Sequence, residues 1–124
     1  MNFLFHSSRI MLGLIFLIFG LNGFYTFIPV PEFHPFMEIL VSSGYIYLIK
    51  VVEVAGGLLL LFNKYIPLAL IALGADIINI TAYHILLDSR NIIIVPVLWI
   101  LFAILLFGYR KIFSQLFVNA QPDW

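Results

Sequence analysis

The chain has 124 residues, of which 64% are hydrophobic and only 10% are charged. A soluble domain carries roughly 25% charged residues, so this composition excludes one and indicates a membrane protein. The formal net charge is +0 and no basic run occurs, which argues against nucleic acid as a partner. Because the chain contains no cysteine, it can form no disulfide, dithiol redox pair or thiolate metal site.

The apolar stretches predict an all-α membrane protein, a four-transmembrane-helix bundle that forms a single domain over residues 1–124. The spans are expected at about residues 10–27, 44–62, 66–87 and 92–109, each long enough for the roughly 30 Å of hydrocarbon in a bilayer. No clear A-x-A-like cleavage site follows the first apolar run, so we interpret the first helix as retained.

The first span and the connection after it carry glycines and prolines in a regular arrangement. Residues at helical spacing give the first span a face of small and aromatic side chains, typical of helix packing: Arg9, Gly13, Phe16, Gly20, Gly23 and Phe27. Prolines interrupt the connection at Pro29, Pro31 and Pro35. Pro35 predicts the start of a short surface helix through Val41 in this first outer loop, and Gly44 predicts its end.

The second span contains a cation and a carboxylate, Lys50 and Glu53, three residues apart. On a helix this spacing puts both on one face, close enough to pair, and Gly57 on that face would let another backbone approach. Each charge at a helix centre costs roughly 2.5–3.5 kcal/mol on the insertion scale. We therefore expect this pair to face the bundle interior and to need polar partners there.

The third span begins after a polar turn at Asn63 and Lys64, with Pro67 in its first turn. It carries a polar stripe, which should face the bundle interior. At matching depth in the outer half of the membrane, the polar and aromatic side chains form a candidate ligand pocket: Lys50, Glu53, Asn79, Tyr83, His84, Asn22 and Trp99. Asp76 belongs to the same stripe nearer mid-membrane. No metal site is expected, and a bis-histidine haem site is excluded because only His84 lies within a span.

Basic residues outside the apolar cores are unevenly divided between the two sides. The side of the termini has Arg9, Lys64, Arg110 and Lys111. The other side has Arg90 alongside Glu32, Glu38 and Asp88. The positive-inside rule therefore predicts that both termini are cytoplasmic.

Several of these residues together resemble the DoxX family, including its DoxX-like members, which are small four-helix bacterial membrane proteins. The resemblance covers nearly all of the four spans and rests on Gly20-Leu21-Asn22, Lys50-x-x-Glu53-x-x-x-Gly57, Pro67-Leu68-Ala69-Leu70, and Asn79 with His84 five residues on. The family pattern is apolar where Asp76 stands, so a role for Asp76 would be particular to this chain. The resemblance implies a bacterial cytoplasmic membrane, a quinone-linked redox setting and a redox-complex partner protein.

Two hypotheses follow from these patterns. In the first, the protein is an accessory subunit of a quinone-linked redox process and its polar pocket binds quinone, with Lys50, His84 and Tyr83 as donors and Glu53 as a proton relay. In the second, it is a non-catalytic scaffold or assembly protein in which the Lys50–Glu53 pair fixes the packing. A transporter has less support, because four short helices lack the broken inverted repeat of many transporters. Enzymatic activity and homo-oligomerisation are left open.

Overall fold

The computed structural model describes residues 2–25 and 34–123, which form helices and turns without a strand in those ranges. The elements are α1 (Asn2–Phe24), α2 (Pro35–Ser43), α3 (Ile46–Phe62), α4 (Ile66–Leu86), α5 (Ile94–Gly108) and α6 (Arg110–Ser114), followed by a 3₁₀ turn at Gln115–Phe117. This confirms the all-helical prediction. The predicted positions Phe27, Pro29, Pro31 and Glu32 lie outside the described residues.

The four long helices pack as an antiparallel ring in which α1 contacts α3 and α5, and α4 contacts α3 and α5. Its interior is a continuous apolar core whose largest fully buried side chains are Phe16, Leu12, Leu60, Leu70, Leu73, Ile77, Leu98 and Leu105. Much of the outer surface is apolar too, with Ile78 and Ile85 of α4 about 60% exposed. Such exposed apolar faces are expected of helices that contact lipid.

Glycines bring α1 and α3 into backbone contact, and this is the most extensive helix interface. A Cβ on Gly57 would lie 2.8 Å from the Gly13 carbonyl oxygen and 2.8 Å from the Leu17 amide nitrogen. A Cβ on Gly20 would lie 2.9 Å from the Val54 amide nitrogen. The predicted packing through glycines is therefore confirmed, because no larger residue fits between these backbones.

Proline, glycine and asparagine residues lie at the ends of the helices, as predicted. Pro35 occupies the first turn of α2, and the His34 Nδ1 atom accepts a hydrogen bond from the Phe36 amide at 3.1 Å. Gly44 ends α2 with a φ of 82°, a conformation that glycine adopts without a Cβ penalty. The helix extends to Ser43, two residues beyond its predicted end. Asn63, with a φ of 58°, similarly ends α3, and Pro67 lies in the first turn of α4.

Two helices, Phe3–Phe24 and Ile66–Leu86, are by themselves long and apolar enough to cross a membrane. The other two long helices are shorter, with 17 residues in α3 and 15 in α5. Each is followed or preceded by a short helix at a sharp bend, 85° between α2 and α3 and 83° after α5. The structure thus supports two to four spans. The first helix begins at Asn2, before the predicted span at residue 10, and its additional turns contact α5 through Phe5 and α3 through Arg9.

Candidate ligand cleft

A cleft of about 920 Å³ opens between α3 and α4 at the end of the bundle where α2 lies. Most of its wall is apolar, with Phe36, Met37 and Leu40 contributed by α2. Five of the predicted pocket residues line it, namely Lys50, Glu53, Asn79, Tyr83 and His84. The structure therefore brings together most of the candidate set. Whether the cleft holds a ligand stays a prediction.

Lys50 and Glu53 form the ion pair that their spacing predicts. The Lys50 Nζ atom lies 3.0 Å from the Glu53 Oε1 atom. The Glu53 side chain is 4% exposed and the Lys50 side chain 19%. The aliphatic part of the Lys50 side chain packs directly against Gly23 of α1, where a Cβ would clash with Lys50 Cγ. The glycine face of α1 therefore also makes room for this lysine. The pair faces the interior, as expected for charges that cannot face lipid.

Asp76 of α4 joins this pair at the floor of the cleft. Its carboxyl group is within hydrogen-bonding reach of the Glu53 carboxyl group and close enough to Lys50 for charge attraction. Glu53 Oε1, the oxygen paired with Lys50, and Asp76 Oδ2 are both buried. The sequence analysis treated a role for Asp76 as particular to this chain. Asp76 lies on the same face of the third span as Asn79 and Tyr83, and this shared face was the signal that linked it to the pocket.

The mouth of the cleft is organised by Tyr83, whose ring lies edge-on to the rings of His34 and His84. The Tyr83 hydroxyl donates to Asp88 Oδ2 at 3.3 Å. Asp88 also accepts from the Arg90 side chain, with a shortest distance of 2.7 Å, and from the Arg90 backbone amide. These hydrogen bonds from Arg90 hold the pKa of Asp88 well below its usual range.

His84 and Asn79 direct their side-chain donors toward their own helix. The His84 Nδ1 atom lies 2.9 Å from the Ile80 carbonyl oxygen, and the Asn79 Nδ2 atom donates to the Ala75 carbonyl oxygen at 3.0 Å. Because a carbonyl oxygen only accepts, the His84 Nδ1 atom carries the hydrogen. In the neutral ring this leaves Nε2 as an acceptor.

Trp99 and Asn22 do not line the cleft, unlike the prediction that placed them in the pocket. The Trp99 Nε1 atom donates to Thr81 Oγ1 at 2.9 Å, and Thr81 in turn donates to the Ile77 carbonyl oxygen. Thr81 lies nearly opposite Asn79 and Tyr83 around α4, so Trp99 holds α5 against a different face. Asn22 is half-buried on α1 and is engaged in interactions there. Matching depth was insufficient to predict which face each helix turns inward.

Arg9 has a structural role that the sequence analysis did not identify. Counted there as a boundary cation, it is 9% exposed, and its Nη1 atom donates to the carbonyl oxygens of Leu60 at 2.6 Å and Leu61 at 3.2 Å. These are carbonyls of the last turn of α3, which a cation stabilises. Its position on the same face of α1 as the glycines could have indicated that Arg9 contacts another helix.

Comparison with protein families, curated proteins and solved structures found no match for this chain. Within residues 2–25 and 34–123, no group of three or more His, Asp or Glu side chains is arranged to hold a metal ion. One amine and two carboxyl groups form the floor, imidazole and phenol groups lie above them, and most of the wall is apolar. This arrangement can hold a small amphiphilic molecule and exchange hydrogen bonds with its polar end.

Proposed function

We propose that this is a four-span protein of a bacterial cytoplasmic membrane with both termini in the cytoplasm. The antiparallel ring supports this topology, because its basic residues gather at the end of the bundle that carries the termini. At 1.5 Å per residue the 17 residues of α3 extend about 25 Å. A slightly short helix is accommodated by local thinning or by flanking residues. In this proposal α2 and α6 lie along the two membrane surfaces.

Within this topology, we propose that the protein is a DoxX-like accessory subunit of a quinone-linked redox process, and that the cleft binds a molecule of the quinone pool. The observation that carries the proposal is the cleft itself, whose apolar walls end in a buried cluster of ionisable groups. Ionisable groups at this depth are costly and usually serve function. A partner protein would supply or accept the electrons, and the resemblance in the motifs of α1, α3 and α4 supports the redox setting.

A scaffold function is the second candidate, and a specific observation favours it. The α1–α3 interface combines close glycine packing with the capping of α3 by Arg9. The Lys50–Glu53 pair lies beside the same interface, so it can serve to fix one packing of these helices. In this alternative the cleft holds only lipid chains, and loss of either charged residue impairs assembly without affecting a ligand.

Quinone retention distinguishes the two candidates. The protein should be purified from quinone-rich membranes in mild detergent, and quinone extracted from it should be quantified by chromatography. We expect about one quinone per chain in the wild type and a clear loss in His84→Ala, which should still fold because His84 bonds only to its own helix. Ile85→Ala, on the exposed face of α4, is the matched control and should retain quinone. Wild-type protein without quinone would favour the scaffold.

A further inference from the structure

The segment that follows α5 is amphipathic and turns sharply away from the bundle. α6 and the 3₁₀ turn form one segment, Arg110–Phe117, which lies at 83° to α5. At helical spacing its two basic residues share one face with Ser114 and Gln115. The opposite face is apolar and consists of Ile112, Phe113, Leu116 and Phe117. Phe113 packs against the bundle core, but Leu116 is 65% exposed and Phe117 89%, so most of the apolar face is uncovered.

A hollow of about 320 Å³ lies at the bend between α5 and α6. Arg110 and Lys111 both line it, together with Gly108, Tyr109 and Ile112. The Arg110 Nη1 atom donates to the Phe107 carbonyl oxygen at 2.9 Å, and the guanidinium group lies 4.3 Å from the centre of the Phe107 ring. These contacts hold the Arg110 side chain at the bend and leave most of the five N–H donors of its guanidinium group available.

Neither cation of the hollow has an acidic partner among the residues that the structure describes. The ion pairs in that part of the chain are Lys50–Glu53 and Arg90–Asp88, which lie elsewhere. The hollow therefore presents two positive charges beside an uncovered apolar face. An occupant that complements both features has a negatively charged group joined to apolar chains.

We propose that the hollow binds the headgroup phosphate of an anionic phospholipid through Arg110 and Lys111, while the apolar face of the segment Arg110–Phe117 contacts the acyl chains. Amphipathic helices with a basic polar face bind membrane surfaces in this way and are attracted to anionic lipids. The inference rests on the proposed topology, in which α6 lies along the cytoplasmic surface, and not on the ligand of the cleft. α2 contains Glu38 and no basic residue, so the two surface helices differ in the lipid that they favour.

Competition between two phospholipids with the same acyl chains tests the proposal. Immobilised wild-type protein in detergent is equilibrated with equal amounts of dioleoyl phosphatidylglycerol and dioleoyl phosphatidylcholine, and the retained lipid is quantified by mass spectrometry. We expect phosphatidylglycerol to be retained at least roughly fivefold over phosphatidylcholine, the effect of one basic residue near an anionic lipid. Equal retention would overturn the inference, whereas quinone retention and membrane topology are decided by separate measurements.

Single substitutions locate the site. Arg110→Gln and Lys111→Gln should each lower the ratio of phosphatidylglycerol to phosphatidylcholine, by up to about fivefold. Lys64→Gln is the matched control, because it removes one exposed cation at the same end of the bundle but outside the hollow, and it should keep the wild-type ratio. An equal decrease in all three variants would show that overall charge attracts the lipid and that the hollow does not.

Two measurements on the wild type need no variant. Raising the NaCl concentration from about 0.05 M to about 0.5 M should lower the ratio toward parity, because salt screens exposed charges. A ratio that salt does not change would contradict recognition by the two cations. Excess glycerol 3-phosphate should leave the bound lipid in place, because it carries the phosphate without acyl chains. Displacement by this compound would show that the hollow takes a soluble phosphate ester and would overturn the lipid as its occupant.

Discussion

The guanidinium group of Arg9 donates to the carbonyl oxygen of Leu60 over 2.6 Å, which connects the first turns of α1 to the last turn of α3. These two residues are 51 positions apart in the chain. The bond adds a charged donor to a carbonyl that also accepts a hydrogen bond from the Asn63 amide at 3.2 Å, and it neutralises part of the negative end of the α3 dipole. One buried side chain thus closes the bundle at the end opposite the cleft.

Loss of Arg9 should destabilise the protein although the residue is far from the cleft. Arg9→Met removes a charge-assisted hydrogen bond to the last turn of α3, at a cost of roughly 1.5–3 kcal/mol. The stability of Arg9→Lys should lie between those of the wild type and Arg9→Met, since lysine keeps the charge but lacks the planar guanidinium group. Thermal unfolding in detergent, followed by circular dichroism, measures the loss. Arg110→Met is the control, because Arg110 is exposed; an equal loss in both variants would contradict a specific role for Arg9.

Local spacing explains most of what the sequence predicted correctly. The positions of Pro35, Gly44 and Pro67 determine helix ends through backbone constraints that act within a few residues. The Lys50–Glu53 pair also follows from one turn of helix. The glycine face of α1 could be recognised because Gly13 and Gly20 are seven residues apart on one side of a helix.

The features that the sequence did not predict depend on how each helix is rotated about its axis. Depth along the membrane placed Trp99 beside the polar cluster, but the rotation of α5 directs its indole to Thr81. Rotation of α4 brings Asp76 against Glu53, a contact between residues on different helices. Such rotations result from packing of the whole core, and no single stretch of sequence contains that information.

The close approach at Gly57 should make even a methyl group destabilising. In Gly57→Ala the new Cβ would lie 2.8 Å from two backbone atoms of α1, so the helices must separate. We expect a loss of about 1–3 kcal/mol, the usual range for overpacking. Gly108→Ala provides the comparison: the atoms nearest its Cβ, from 2.6 Å, belong to the Phe5 side chain and not to a backbone, so we expect a smaller loss. Similar melting temperatures for Gly57→Ala and wild type would contradict the packing argument.

The effects on stability of substituting Lys50 and Glu53 should not be additive. Lys50→Met leaves Glu53 and Asp76 without their cation and should cost roughly 3–5 kcal/mol, the range for breaking a buried pair. Glu53→Gln should cost less, since Asp76 still lies near the lysine. The double variant should be more stable than Lys50→Met alone. Melting temperatures of the three variants complete the cycle.

An exposed pair provides the comparison for this cycle. Asp88 and Arg90 lie 2.7 Å apart, but the Arg90 side chain is 50% exposed. Arg90→Met should therefore cost no more than about 1 kcal/mol. If the single substitutions at Lys50 and Glu53 hardly lower the melting temperature and their effects add, the interior pair contributes no more to stability than this surface pair.

Cysteine labelling tests the four-span topology, and the chain is well suited to it because it has no native cysteine. If all four long helices cross the membrane, Ser42 and Ser89 lie outside while Lys64 and Ser114 lie inside. All four positions are exposed, so labelling reports the side of the membrane and not burial. With an impermeant maleimide on intact cells, Ser42→Cys and Ser89→Cys should react. Lys64→Cys and Ser114→Cys should react only after the membrane is opened.

Each failure of this pattern has a distinct meaning. A fully reversed pattern would place the termini outside and overturn the orientation that the basic residues predict. Labelling of Lys64→Cys from the same side as Ser42→Cys would show that α3 does not cross. Labelling of Ser114→Cys from the same side as Ser89→Cys would show the same for α5. In either case the cleft between α3 and α4 would not lie in the outer half of a four-helix membrane bundle, and access of a quinone-pool molecule from the bilayer would have to be reconsidered.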